Sequence, residues 1–146
     1  MSTRESIPHS ETLRVHDRCL CLHAQRAARA LARRFDEAFR PLGITSGQFS
    51  LLMALNRPEP PRVGDVAAVL AMDRTTLTAS LKPLERRRLV VIRPDRDDKR
   101  VRRLALTATG RSLLARALPL WERTQAACEA LLGDADRTRA DLRALD

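Results

Sequence analysis

The residues with the clearest chemistry form a cationic cluster. Residues 82–103 contain ten basic and four acidic side chains, an excess of six positive charges. The whole chain of 146 residues carries a formal net charge of +9, so two thirds of the excess lies in this one segment. Such a concentration of Lys and Arg is typical of a surface that binds the phosphates of a nucleic acid. A solvated charged face that binds nothing is the alternative.

Cysteine and histidine side chains near the N-terminus indicate two other chemistries. The Cys21 thiol is a candidate for oxidation sensing, and the alternative is a buried structural cysteine. His16, Cys19 and His23 share one face of a helix at a spacing that can ligate zinc or copper. Because no further ligand follows, we predict no metal site. Three cysteines without an export signal favour free thiols over disulfides.

The sequence lacks the residue sets of common catalytic sites. It has no paired nucleophile and base, no paired carboxylates and no Gly-rich phosphate loop, so we expect neither an enzyme nor a cofactor. Hydrophobic residues make up 44% of the chain and charged residues 31%, the composition of a folded globular protein. No apolar run reaches the roughly 18 residues that cross a membrane. The polar N-terminus is unlike a signal peptide, so we expect a cytoplasmic protein with no membrane partner.

Apolar periodicity predicts the elements that position these residues. Leu, Ala and Phe recur every three or four residues over 16–42, which is one face of a long helix. Thr45 and Gln48 form a capping box that begins a second helix. A long final helix is predicted over 107–132, with Pro119 inside it.

A helix-turn-helix is predicted in the middle of the chain. Helices over 63–70 and 73–87 are joined by a tight turn, and Asp73 is a good N-cap for the second. At 100° per residue the second helix turns one face inward, made of Leu77, Leu81, Leu84 and Leu89. The opposite face carries small and hydroxyl side chains, which suit the floor of a DNA groove, and then basic ones. The predicted DNA contacts on this helix are Arg74, Thr75, Thr76, Thr78, Ala79, Lys82 and Arg86.

A β-hairpin is predicted after this helix. Two β-rich runs, 89–93 and 101–106, flank the polar stretch 94–100, which is the arrangement of a wing. Arg96, Lys99 and Arg100 near its tip are predicted to reach a minor groove, where Arg is favoured. Asp98 is predicted to hold Arg100 in position. A charged turn without DNA contact is the alternative.

Three segments in combination resemble a known family. They are ITSGQFSLLMAL, VGDVAAVLAMDRTTLTASLKPLERRRLV and RPDRDDKRVRRLALTATG, and with the flanking helices the resemblance spans residues 13–145. The family is the multiple antibiotic resistance regulator (MarR) family of bacterial transcription factors. The Asp-Arg-Thr-Thr-Leu-Thr helix start and the Asp-Asp-Lys-Arg wing followed by Leu-Thr-x-x-Gly are specific together.

The resemblance implies a mainly α fold with a small β-hairpin wing, a winged helix-turn-helix. It implies a homodimer formed through the N- and C-terminal helices, binding a pseudo-palindromic operator in double-stranded DNA, usually as a repressor. The expected organisation is a flexible arm over 1–12 and a single domain over 13–146. Within that domain, 13–43 and 110–146 are dimerisation helices and 44–109 is the DNA-binding lobe.

Departures from the family pattern concern backbone geometry. The second helix of the helix-turn-helix, over 73–87, corresponds to the recognition helix of the family. Arg88 stands where the family usually has Gly after this helix, so that turn must be strained or differently shaped. Pro83 removes a backbone hydrogen bond from the recognition helix and should bend it. Pro119 should likewise remove a backbone hydrogen bond from the long final helix over 107–132, which the resemblance assigns to the dimer interface.

The resemblance also bears on the signal that controls DNA binding. Cys21 falls where peroxide-sensing members carry their reactive cysteine, but the tyrosines that partner that thiol correspond here to Phe35 and Ser46. The main expectation is therefore a small aromatic or amphipathic effector, in a cleft lined by Phe49 and Trp121. Plain core packing is the alternative for Trp121. An alternative function of another class is a winged-helix protein-interaction module that does not bind DNA.

Overall fold

The computed structural model describes residues 6–146 and is mainly helical with one β-hairpin. Residues 1–5 of the predicted arm lie outside the described residues, and the rest of it is partly helical because the first helix begins at His9. In chain order the elements are α1 (His9–Arg18), α2 (Leu20–Phe39), a 3-10 helix (Arg40–Leu42), α3 (Ser46–Ala54), α4 (Val63–Val69), α5 (Arg74–Arg86), β1 (Val90–Pro94), β2 (Arg102–Leu106), α6 (Ala108–Glu129) and α7 (Ala135–Arg143).

The N-terminal helix predicted as continuous over 16–42 is interrupted at Cys19. This residue has extended backbone angles (φ −70°, ψ 107°), and its Sγ accepts a hydrogen bond from the backbone N–H of Leu22 at 3.4 Å. Cys19 thereby serves as the N-cap of α2. Apolar periodicity could not reveal this break, because the first apolar residue of the predicted stripe is Leu20, on the C-terminal side of Cys19.

The helix-turn-helix and its wing lie where the sequence predicted them. Thr45 and Gln48 form both hydrogen bonds of the capping box at the start of α3. The two strands pair antiparallel, with Val90 opposite Leu106 and Ile92 opposite Leu104. Their bounds agree with the predicted runs to within one residue at each end.

One continuous core joins the helix-turn-helix to the long helices. The inward leucines of α5 are buried, as predicted, together with Leu89. They pack in one cluster with side chains from the other elements, among them Phe39, Leu52, Val66, Leu104, Leu114 and Ala117. Burying Leu-sized side chains at about 1.5–3 kcal/mol each is what fixes α5 with one face inward.

The turn after α5 is a helix C-cap motif built on an arginine. The N–H of Leu89 bonds the carbonyl of Leu84 at 3.0 Å, and the N–H of Arg88 bonds the carbonyl of Glu85 at 2.9 Å. This is a Schellman motif, whose next-to-last residue, here Arg88, prefers Gly because its φ is positive. Arg88 has φ +56°, so the strained turn predicted at this position is confirmed. A side chain there costs about 1–2 kcal/mol relative to Gly.

The two prolines that were predicted within helices lie inside helices that continue past them. Pro83 is within α5 and Pro119 is within α6. Each removes one N–H from the helical ladder, which leaves the carbonyl four residues earlier without its usual donor. Neither proline ends its helix.

The start of α6 lies against the turn after α5. Thr107 caps α6 by accepting the N–H of Gly110 at 3.0 Å, and its hydroxyl donates to the carbonyl of Arg88 at 2.6 Å. A Cβ placed on Gly110 would lie 2.1 Å from the carbonyl oxygen of Leu89. Only glycine therefore permits this approach.

Apolar side chains remain exposed at both ends of the chain. On α1 and α2, only the C-terminal part of the predicted stripe reaches the core, and Leu20 is 71% exposed. After α6, Leu131, Leu132, Leu142 and Leu145 are also exposed. Across residues 6–146, no helix combines the length and apolar character needed to cross a membrane.

Replacing Gly110 by Ala is expected to destabilise the fold by about 2 kcal/mol or more, because backbone must move away from the new methyl group. Urea unfolding at one fixed protein concentration measures this. Gly133→Ala is the matched control, since a Cβ there meets nothing within 4 Å, and its effect should stay within about 0.5 kcal/mol. Equal stability of the two variants would contradict a close approach at Gly110.

Candidate nucleic-acid interface

The N-terminus of α5 is fixed by a carboxylate cap. Asp73 accepts hydrogen bonds from the backbone N–H and from the hydroxyl of Thr76, both at 2.7 Å. The backbone bond, followed by the hydroxyl bond, holds the pKa of Asp73 below its ordinary value. Asp73 is therefore ionised at neutral pH, and its negative charge interacts favourably with the positive pole at the N-terminus of the helix.

The outward face of α5 is open to solvent along its length. The side chains of Thr75, Thr76, Thr78, Ala79, Lys82 and Arg86 are all exposed, opposite the buried leucines. Two of the three threonine hydroxyls donate within the helix: Thr76 to Asp73, and Thr78 to the carbonyl of Arg74 at 2.7 Å. These two retain lone pairs and methyl groups for a groove, and the hydroxyl of Thr75 is the one left to donate outward.

Arg74 lies apart from the rest of the predicted contact set. Its guanidinium is placed over Gly64 at the start of α4, where a Cβ on Gly64 would be only 2.9 Å from Nη2. The guanidinium therefore lies beside the first turn of α4. Sequence periodicity gives the direction of the Cα–Cβ bond and leaves the path of a long side chain undetermined.

The wing loop presents its three predicted cationic side chains to solvent. Arg96, Lys99 and Arg100 are all exposed, and Arg100 is 95% exposed at its side chain. Asp98 Oδ1 accepts the backbone N–H of Arg100 at 3.0 Å and lies 3.5 Å from its Nε. The structure therefore places Asp98 beside Arg100. Support of Arg100 by Asp98 in a DNA complex stays a prediction.

A second acidic residue, which the sequence analysis did not single out, organises the wing. Asp95 Oδ1 accepts Arg103 Nε at 2.7 Å, and its Oδ2 accepts the backbone N–H groups of Asp97 and Asp98 at 3.2 Å each. Its side chain is only 10% exposed. The presence of three acidic side chains in the 94–100 loop was the available signal, because carboxylates near phosphate are compatible with DNA binding when they pair within the protein.

Arg103 also joins the wing to the loop after α3. Its Nη1 donates to the carbonyl of Pro60 at 2.9 Å, and the N–H of Leu104 donates to the carbonyl of Pro61 at 2.9 Å. The wing base is therefore bonded to a proline-rich loop with few degrees of freedom. This attachment holds the base of the wing against the loop after α3.

Phe49 and Trp121 form two walls of an apolar cavity. Their rings are 6.5 Å apart and within 18° of parallel. The cavity has a volume of about 420 Å³, lies between α3, α4 and α6, and is lined by Phe49, Ser50, Met53, Ala54, Val69, Leu70, Leu118 and Trp121. A neighbouring cavity of about 330 Å³ shares Met53 and Leu118 and adds the polar side chains of Asn56 and Arg111. The two predicted lining residues are thus brought together.

The cysteines and histidines near the N-terminus are not brought into one site. His23 Nδ1 is 2.8 Å from the carbonyl of Cys19, and His16 Nδ1 is 3.3 Å from Asp17. In the described part of the chain, no group of three or more metal-ligating side chains is close enough to hold an ion. Cys21 is exposed, with the Gln25 amide donating to its Sγ at 3.3 Å. The alternative of a buried Cys21 is therefore wrong for the single chain.

Comparison with known proteins gives a family match and one curated relative. A model described as MarR family matches residues 42–101. The transcriptional activatory protein BadR of Rhodopseudomonas palustris is 38% identical over 72 residues. That alignment covers 47% of this chain and 41% of BadR, so the chain spans less than half the length of this relative.

Solved structures match over nearly the whole chain. The M. tuberculosis transcriptional regulator MosR in complex with DNA is 39% identical, with a TM-score of 0.81, covering 87% of this chain and 92% of MosR. The transcriptional repressor CouR, bound to a 23-mer DNA duplex, is 31% identical, with a TM-score of 0.77, covering 90% of this chain and 92% of CouR. The likeness therefore extends to sequence as well as fold.

The Asp95–Arg103 pair makes the wing sensitive to acid. The hydrogen bond from Arg103, followed by that from the Asp98 amide, holds the pKa of Asp95 below its usual 3.8. A lowered folded-state pKa adds stability above the unfolded pKa, and this is lost as the pH falls through the folded value. The wing should therefore loosen only below about pH 4.

An NMR titration of the Asp95 carboxyl measures this effect. Arg103→Met should raise the pKa of Asp95 toward its usual range. Arg102→Met, at the exposed neighbouring position on β2, should leave it where it is. An unaltered pKa in Arg103→Met would mean that the ion pair does not hold the wing in solution.

Proposed function

Because this chain belongs to the MarR family of transcriptional regulators, we propose that it binds double-stranded DNA at a pseudo-palindromic operator and represses transcription until a small organic ligand binds. It acts as a homodimer in the cytoplasm, and the proposal includes no catalytic step. The matched structures of MosR and CouR were both determined with DNA bound.

The observation that carries the proposal is the two-sided character of α5. Its leucine face is buried, so the opposite face of small, hydroxyl and basic side chains must face outward. A helix of this kind fits a major groove, and the proposed contacts in it are Thr75, Thr76, Ala79 and Lys82. The wing adds Arg96, Lys99 and Arg100 for the adjacent minor groove and backbone.

Dimerisation is supported by the unburied apolar side chains at the chain ends. Isolated exposed leucines are common, but a cluster on adjoining helices marks an interaction surface. Here they occur on α1 and α2 and again after α6. We assign residues 13–43 and 110–146 to the dimer interface and 44–109 to the DNA-binding lobe. Two-fold symmetry then places two α5 helices for two half-sites.

The effector is proposed to bind between Phe49 and Trp121. A cavity of about 420 Å³ is within the size range of small-molecule sites. Aromatic and aliphatic walls favour a planar apolar group, and the neighbouring cavity offers Arg111 and Asn56 to a polar end. An aromatic carboxylate has this combination of properties.

Selection of duplexes from a randomised pool, followed by fluorescence anisotropy, tests the function. Wild-type protein should enrich a palindromic sequence and bind it in preference to a scrambled duplex, with an affinity that falls as salt rises. Binding to neither duplex at low salt would favour a protein-interaction module instead.

Lys82→Ala should weaken binding to both duplexes and reduce the slope of log affinity against log salt by about one, because one phosphate contact is lost. Lys82→Arg keeps the charge and should keep the slope. An unchanged slope in Lys82→Ala would remove Lys82 from the phosphate contacts.

Trp121 is the only tryptophan, so its emission reports directly on the cavity. Titration with aromatic carboxylates such as benzoate should quench it and release DNA. Val69→Phe, which fills the cavity from its rim, should weaken this binding by about tenfold or more. Ala68→Phe, on the adjacent exposed position, should not. Unchanged ligand affinity in Val69→Phe would place the ligand elsewhere.

A further inference from the structure

One arginine that is absent from the predicted DNA contacts makes the longest-range side-chain hydrogen bonds of the lobe. Arg87 is the C-cap residue of α5. Its Nη1 donates to the carbonyl of Gly43 at 2.6 Å, and its Nη2 donates to the carbonyl of Leu42 at 3.2 Å. The bonded groups are 44 and 45 residues apart in the chain. They join the end of the recognition helix to the end of the helical segment that begins with α2.

The chemistry of this joint is that of a helix C-terminus. The 3-10 helix Arg40–Leu42 follows α2 directly and ends at Gly43, which has φ +66°. The last carbonyls of a helix lack partners within the helix and carry its negative pole. The planar guanidinium satisfies two of them at once, which the single ammonium of a lysine does less well.

From this geometry we infer that Arg87 is a positioning residue for DNA recognition, which sets the recognition helix relative to α2. The inference rests on the proposed function. In the proposed dimer α2 is part of the interface, so the Arg87 joint contributes to the spacing of the two α5 helices. Successive major-groove half-sites lie about 34 Å apart, and base contacts depend on that spacing much more than the general attraction of cations for phosphate does.

The same geometry distinguishes this role from a phosphate contact. Both terminal nitrogens of Arg87 are directed at protein carbonyls. Its two neighbours in sequence, Arg86 and Arg88, are also exposed arginines. Loss of Arg87 should therefore alter specificity, whereas loss of an arginine on phosphate alters the general attraction.

The test compares Arg87→Met, Arg87→Lys and Arg88→Met in the full chain. Arg88→Met is the matched control, because it removes one charge from the adjacent position and no bond to Leu42 or Gly43. Each variant is titrated by anisotropy against the duplex enriched by wild-type protein and against a scrambled duplex, at several salt concentrations. Thermal unfolding confirms that each variant is folded at the assay temperature, and Arg87→Gln replaces Arg87→Met if that variant is not.

Arg87→Met is expected to lower the affinity for the enriched duplex by about tenfold relative to Arg88→Met, with the affinity for the scrambled duplex equal in the two variants. Arg87→Lys should recover part of the specific affinity. A ratio of specific to non-specific affinity equal to that of Arg88→Met would overturn the inference, as would a salt slope lowered by about one with equal loss on both duplexes. Failure of wild-type protein to enrich any duplex would instead overturn the proposed function.

Discussion

The lobe depends on a contact in which the first turn of α6 touches the backbone of the turn after α5. Gly110 permits the approach to the Leu89 carbonyl, and the Thr107 hydroxyl bonds the adjoining carbonyl of Arg88. Since β1 begins at Val90, this one junction sets the end of the recognition helix, the root of the wing and the start of the longest helix. A change there would displace all three together, because packed interiors have little room to absorb strain.

The sequence predicts those parts of the fold that depend on neighbouring residues. The leucine face of α5, the Thr45–Gln48 capping box and the hairpin all follow from local periodicity and cap chemistry, and the structure confirms each. The strained turn at Arg88 was predicted from the family resemblance, which places Gly at this position, together with the cost of a side chain at positive φ. Exposure of the opposite face of α5 then follows from burial of its leucine face.

The remaining features depend on residues far apart in the chain or on the paths of long side chains. Arg103 reaches Pro60, and Arg74 is placed over Gly64. Composition and periodicity contain no information about such contacts. The break at Cys19 is local, but it was hidden because the apolar stripe begins only after it, at Leu20. Sequence therefore predicts which side of α5 is available to DNA, whereas the structure shows which side chains on that side are already hydrogen-bonded within the protein, such as Thr76 and Thr78.

The few aromatic residues connect the cavity with the end of α2. The chain has three Phe, one Trp and no Tyr. All four stand in one row, with centroid distances of 6.1 Å from Phe35 to Phe39, 4.7 Å from Phe39 to Phe49 and 6.5 Å from Phe49 to Trp121.

One end of this row forms the cavity wall, while Phe39 lies at the end of α2 and directly precedes the 3-10 helix bonded by Arg87. A ligand that binds between Phe49 and Trp121, as proposed, would press Phe49 toward Phe39, which is fully buried and stacked on Phe49 at 4.7 Å. The proposed ligand site and the proposed DNA-binding helix therefore both adjoin the end of α2, the first through Phe39 and the second through the Arg87 bonds to Leu42 and Gly43. Coupling between two sites requires an element that both contact, and the end of α2 meets this requirement.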